Sequence, residues 1–383
     1  MMGTTGWVPP TDTERLLHEA TARGDWEAEL AALSTTRLYL LLPRLHADTP
    51  GFTTPLTPRR DPATGKMCLP VLTPGMLPPW HPDWVFQQTT LAELADDWPH
   101  DKWWLAVNPG TACAATVEAK PLNREVWQEI SAETGGLPQG RLVTHEGGPL
   151  RGPTAYGLAC GAHLAVHNGV PWNQLGSAYR DYGQDIESLR RPWHITNRAE
   201  YQAKLHDLAA RKHIDRDHEF ALQARASLTR RLGQVPSAQQ WEDTVGQALA
   251  VRDGHASEIE DAREAVRRIV RYEDRFRADG VLAADGRVES LAAFDLGRAV
   301  NVVRMGLGAR YCDPREAEAS VVHFGTLAQR AYGSWEAFSV AYALMRLIYF
   351  DEDSFGSWYQ ESLAQHRILT RDAMSPYRNI PWS

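Results

Sequence analysis

Two opposite charges lie where a helix should be apolar. Residues 294–304 read F-D-L-G-R-A-V-N-V-V-R. Wound at about 100° per residue, the pattern places Leu291, Val302 and Met305 on one arc. Asp295 and Arg298 fall within that same arc. Charges on a buried face survive when they are paired and hydrogen-bonded. The spacing therefore predicts an ion pair inside a helical core, an (i, i+3) contact that helices favour. Asn301 and Arg304 continue toward the helix edge as possible rim residues of a cleft. The five candidates His194, Asp295, Arg298, Asn301 and Arg304 form either a ligand site or a structural polar cluster.

Other chemistry-bearing residues are scattered. His163 and His167 stand at i, i+4, a spacing that can bind a metal. They lack the glutamate of H-E-x-x-H and an evident third ligand, so no metal is expected. His194 follows Trp193 before a capped helix and is the best single candidate base, since imidazole titrates near neutrality. No G-x-S-x-G is present, and none of the 4 Cys lies in an activating context. The glycines at 135–152 form neither a phosphate loop nor a dinucleotide fingerprint. No cofactor and no catalytic residue is assigned.

The elements that must position these residues divide along the chain. Residues 12–33 carry two short helical patterns. Apolar runs at 37–43, 67–73 and 103–110 then read as strands, with a fourth around 113–117. Asn123 is a plausible cap for the helix that follows. Gly135, Gly136, Gly140, Gly147, Gly148 and Gly152, with Pro138, Pro149 and Pro153, mark a linker. Beyond it nearly everything is helical. Asn197/Glu200 and Asp313/Glu316 read as capping boxes, and Ser237 and Ser334 as helix starts. The expected fold class is an α+β domain with a small mixed sheet, followed by a mainly α-helical domain. The expected boundaries are a helical segment at 1–34, the α+β domain at 35–148 and the helical domain at 153–383.

Composition narrows the partners. The net charge of −8 over 383 residues argues against general nucleic-acid binding. No apolar run is long enough for a membrane span, and no signal peptide is visible. Widely spaced cysteines fit a reducing cytoplasm. Basic residues are mostly Arg, which fits a GC-rich bacterial genome. Trp358, Tyr377 and Trp382 are candidate partner-binding aromatics, because rings and Arg are enriched at interface centres.

Two resemblances follow from particular motifs. R-L-Y-L-L-L-P (37–43), M-C-L-P-V-L-T-P (67–74), T-L-A-E-L-A (90–95) and L-A-V-N-P-G (105–110) are similar to the N-terminal domain of the SseB family of bacterial proteins. W-H-I-T-N (193–197), F-D-L-G-R-A-V-N-V-V-R-M-G (294–306), G-S-W-E-A-F (333–338) and S-P-Y-R-N-I-P-W (375–382) resemble the family called domain of unknown function 1266. Phe294 and Tyr377 stand where that family pattern carries Trp. Neither resemblance implies a reaction. The expected function is non-enzymatic: a cytoplasmic bacterial protein that binds another protein, as adaptor, immunity or secretion-associated factor. The alternative is an enzyme or small-ligand binder with a cleft around Asp295, Arg298 and His194.

Overall fold

A computed structural model gives the fold for residues 7–49, 56–62, 64–134, 140–145, 147–175 and 181–382. Helices α1 (Asp12–Arg23) and α2 (Trp26–Ser34) come first. Gly24 closes α1 at φ 66°, and Asp25 caps α2 by accepting from the Ala28 N–H. Then follow β1 (Leu38–Pro43), α3 (Arg44–Ala47), β2 (Arg59–Arg60), β3 (Met67–Val71), β4 (Trp84–Thr89), α4 (Leu91–Asp96), β5 (Trp104–Val107), β6 (Ala115–Glu118) and α5 (Pro121–Glu133). β1 pairs antiparallel with β4. The order β2-β3-β5-β6 makes a second, mixed sheet in which β3 and β5 run parallel. A bridge between Tyr39 and Leu72 connects the two sheets. The sequence pattern does not point to β4 or to the two-residue β2. In β4 the burial order is not a clean alternation, so its period of two is obscured. Asn123 is not the cap of α5. Lys120 takes that place, Pro121 opens the first turn, and the Asn123 amide turns back to Glu118.

The N-P-G turn locks α1 to the sheet. Asn108 is fully buried at φ 46°, a backbone region that Asn tolerates better than most residues. Its Oδ1 accepts from the Thr73 N–H, and its Nδ2 donates to Thr73 Oγ1, each at 2.9 Å. Thr73 Oγ1 in turn donates to the buried Glu14 carboxylate of α1. That carboxylate also accepts from the Gly75 N–H at 3.0 Å and from Thr11 Oγ1.

The rest is helical: α6 (Gly152–Cys160), α7 (Ala162–Asn168), α8 (Tyr182–Trp193), α9 (Arg198–Ala209), α10 (Arg216–Leu232), α11 (Ala238–Ala250), α12 (Ala256–Ala278), α13 (Ala292–Gly308), α14 (Pro314–Ala331), α15 (Trp335–Phe350), α16 (Ser357–Arg371) and α17 (Pro376–Asn379). The fold class is thus a small mixed sheet with helices followed by a mostly helical region. Asp313/Glu316 forms a full capping box, and Ser237 and Ser334 cap their helices as the sequence indicates. Asn197 accepts from the Glu200 N–H, but Glu200 reaches back to the Thr196 N–H rather than to Asn197. None of the described helices is long and apolar enough to cross a membrane.

Two apolar cores result. One is built around Leu33, Leu38, Val71, Leu105 and Trp127, the other around α13 and α15. Gly135, Gly136 and Pro138 of the expected linker lie outside the described residues. Gly140 and Gly152 take φ 65° and 83°, and between them Val143 forms a bridge with Pro171. The two halves also touch directly. Trp80 Nε1 donates to Leu307 O at 3.4 Å, and Tyr182 Oη donates to Asp48 Oδ1 at 2.7 Å.

Candidate functional site

Helix α13 carries the candidate residues, and its sequence explains why it runs through the middle of the helical half. It is apolar nearly all round, as a helix packed on every side must be. Its glycines admit neighbours that side chains would push away. A Cβ at Gly306 would lie 2.2 Å from the Tyr201 ring, and one at Gly297 would lie 2.8 Å from the Tyr342 ring.

Asp295 is fully buried on this helix. Its Oδ1 accepts from Arg298 Nη2 at 2.5 Å, and its Oδ2 accepts from the His213 backbone N–H at 3.0 Å. The His213 carbonyl accepts from Tyr349 Oη at 2.7 Å and, at 3.4 Å, from Arg298 Nη2. Asp295, Arg298 and Tyr349 therefore grip the backbone of one residue, His213, on both sides in the α9–α10 connection. The Arg298 guanidinium lies 4.1 Å from the Phe294 ring centre and 5.2 Å from that of Trp193. Such stacking suits a planar, weakly hydrated cation. The His213 imidazole lies 3.4 Å from Lys204 Nζ. Its pKa is lowered, by desolvation first and by Lys204 second, while Asp295 pulls it upward.

The stack continues to the surface. The Phe294 and Tyr349 ring centres are 5.6 Å apart, Tyr349 and Phe350 6.0 Å, and Phe350 and Trp358 5.2 Å. Arg346 lies 5.2 Å from the Trp358 ring and donates to Glu361 at 2.9 Å. Tyr349, Phe350 and Trp358 are 45%, 48% and 39% exposed. A run of rings and guanidinium groups thus leads from a buried carboxylate to an open aromatic face.

The other candidates do not gather here. His194 is the left-handed C-cap of α8 at φ 54°, and its exposed ring has no hydrogen-bond partner among the described residues. Asn301 Nδ2 reaches Met305 Sδ at 3.9 Å, and Arg304, buried, donates to Pro171 O at 2.7 Å. Tyr377 is not a surface aromatic. It is buried and stacks on Trp335 at 4.5 Å, because Pro376 and the Ser375 cap turn that short helix inward. Trp382 closes the same cluster, 4.7 Å from Trp335, and donates to Tyr332 O. Of the three tail aromatics, only Trp358 presents an open ring. His163 and His167 face different partners: His163 Nε2 meets Ser339 Oγ at 2.8 Å, and His167 Nδ1 meets Glu361 Oε1 at 2.5 Å. Among the described residues, no three His, Cys, Asp or Glu side chains gather to hold a metal ion. All four cysteines are buried, and burial pushes the Cys312 thiol up to about 11.

A family model described as a protein of unknown function, DUF1266, matches residues 188–382. The chain belongs to the DUF1266 family. No curated protein and no solved structure matches. The DUF1266 region runs from within α8 through α17, so it holds the whole Arg298–Trp358 stack and all eight candidate residues.

Two polar groups within the DUF1266 region were not evident from the sequence. The first is the buried Arg225–Glu273 pair. The second is Ser339, whose Oγ lies 2.8 Å from His163 Nε2 and 2.9 Å from His366 Nδ1. Both histidines are buried. Burial holds the His163 pKa well below its ordinary value, and burial with nearby Arg371 and Arg367 lowers that of His366 to about 4. The unfolded chain therefore binds more protons than the folded one below about pH 6.5. Stability from His366 is complete above that pH, falls as the pH drops toward 4, and loses no more below it. The expected loss is about 3 kcal/mol. Urea melts of wild type and His366→Gln between pH 7 and pH 4 measure it. An identical pH slope in the two proteins would remove His366 as the cause.

Proposed function

We propose that this chain is a protein-binding protein of the bacterial cytoplasm, which meets its partner through the Tyr349–Phe350–Trp358 face. The observation that carries the reading is that face itself: three adjacent exposed rings backed by Arg346 and continuous with Arg298. Aromatic side chains and Arg dominate the energetic centres of protein interfaces. Rings already stacked on neighbours lose little freedom when a partner arrives. The negative net charge speaks for a protein rather than a nucleic acid as partner. The SseB-like motifs of the N-terminal half, and its separate core, fit a second module with an adaptor, immunity or secretion-associated role. The reading as an enzyme or ligand cleft has less support, since Asp295 is sealed and both its oxygens are engaged.

The test is capture from the native host with the full chain. Phe350→Ser/Trp358→Ser is expected to lower partner recovery at least about tenfold, the effect of losing one interface hot spot. Leu122→Ser, which removes an exposed apolar side chain from α5, is the control. Unchanged far-ultraviolet spectra establish that the fold is kept. Equal recovery of the same partner by the double variant would sink the proposal.

A further inference from the structure

The α1 end of the N-terminal half and the helical half meet at a partly open cavity of about 130 Å³. It is lined by Asp12, Thr36 and Arg37 of the N-terminal half, by Arg141 and Thr144 of the segment that joins the halves, and by Pro171 of the helical half. Its chemistry is that of an anion site. Arg37 is held in place by donating to Asn168 O at 3.2 Å, which fixes its charge at the wall. Arg141 forms no hydrogen bond or ion pair among the described residues, and the charge that acts on it is that of Asp12. Asp12 itself pairs with Arg15 at 3.2 Å, a guanidinium it shares with Glu19.

Two further features point into the cavity. The N-terminus of α1, twelve residues long, has no side-chain cap, because Thr11 Oγ1 donates to Glu14 instead. Its first amides therefore remain available to an acceptor. Thr36 is only 6% exposed, and its hydroxyl bonds to no other described residue. As one of the lining residues, Thr36 can offer that hydroxyl to a molecule in the pocket. Two guanidinium groups, uncapped amides and an unpartnered hydroxyl form a donor set for tetrahedral oxyanions.

A second, wider groove of about 440 Å³ shares Thr11, Asp12 and Thr144 with this cavity. Its walls include Val8, Pro9, Leu142 and Met374, of which Val8 and Met374 are strongly exposed. We propose that the cavity binds the phosphoryl group of a phosphate monoester, whose apolar organic part lies along the Val8–Leu142–Met374 groove. The site is separate from the aromatic face and independent of the partner reading. It draws residues from both halves of the chain, so ligand would tighten their contact.

Calorimetric titration of the full chain with inorganic phosphate and with phenyl phosphate, at constant ionic strength, tests the proposal. Both probes are expected to bind with one-to-one stoichiometry, phenyl phosphate the more tightly. Arg141→Ala should weaken both at least about tenfold, as loss of a charge-assisted hydrogen bond does. Its melting temperature without ligand should match wild type, because Arg141 forms no hydrogen bond or ion pair with the described residues. Thr36→Val should weaken both probes by a smaller factor. Met374→Ser should erase the preference for phenyl phosphate and leave phosphate affinity unchanged. Absence of saturable binding, or unchanged affinity in Arg141→Ala, would overturn the site. Binding of phosphate with no preference for phenyl phosphate would overturn the monoester and leave a site for the free anion.

Discussion

Glu273→Ala is expected to cost the helical half about 3–5 kcal/mol, among the largest effects of any single substitution in this chain. Glu273 and Arg225 are 3% and 7% exposed in their side chains. They meet as two parallel hydrogen bonds, Nη1 to Oε2 at 2.8 Å and Nη2 to Oε1 at 2.9 Å. The carboxylate also accepts from the Val288 N–H at 2.7 Å and from Arg277 at 3.3 Å. The guanidinium donates to the Val288 carbonyl and stacks on Trp241 at 4.4 Å. Removing Glu273 strands a buried cation and leaves the Val288 N–H without its acceptor. Both losses cost more than the pair contributes while intact.

Urea melts followed by circular dichroism measure the effect. Glu273→Gln should fall between wild type and Ala, since the amide oxygen still accepts one bond. Replacing both members by Met should recover much of the stability, because no charge is then buried without a partner. A loss below about 1 kcal/mol in Glu273→Ala, the scale of a surface ion pair, would mean that water reaches this site.

That pair was illegible in the sequence for a physical reason. Arg225 and Glu273 are 48 residues apart, on α10 and α12, and each sits among surface charges of the same kind. Nothing local separates a buried guanidinium from its solvated neighbours at Arg230 and Arg231. The α13 pair was legible because both partners lie within one helical turn, where periodicity fixes the face. Helix starts were readable at Ser237, Asp313 and Ser334 because capping is local chemistry. Strand β4 escaped because its burial depends on pairing with β1, and its own alternation is imperfect. The tail rings show the remaining gap. Tyr377 and Trp358 are both aromatic residues near the C-terminus, yet one is sealed and the other open. Packing against Trp335 decides that difference.

The Asp295/Arg298 pair carries the second large expectation, and its two halves should differ. Asp295 is wholly buried, whereas the Arg298 side chain keeps 19% of its surface exposed. Asp295→Ala leaves a guanidinium that can still turn toward water, and an unpaired His213 N–H; its cost should be about 3 kcal/mol. Arg298→Ala leaves a buried carboxylate with one remaining donor, and also strips the stack between Phe294 and Trp193, so its cost should be larger. Asp295→Asn retains an acceptor for the His213 N–H and should cost about 1–2 kcal/mol. Denaturant melts of Asp295→Leu, Arg298→Met and the Asp295→Leu/Arg298→Met double variant close a thermodynamic cycle. A coupling of about 2 kcal/mol or more is expected, with the double variant more stable than Arg298→Ala. The competing outcome is Asp295→Ala at wild-type stability with partner or ligand binding lost. The carboxylate would then be a functional group held in reserve beneath the aromatic face, and the cleft reading would displace the one proposed. The geometry argues for coupling: both carboxylate oxygens are already bonded, and the His213 N–H that Oδ2 holds belongs to the connection that brings α10 and its buried Arg225 onto the core.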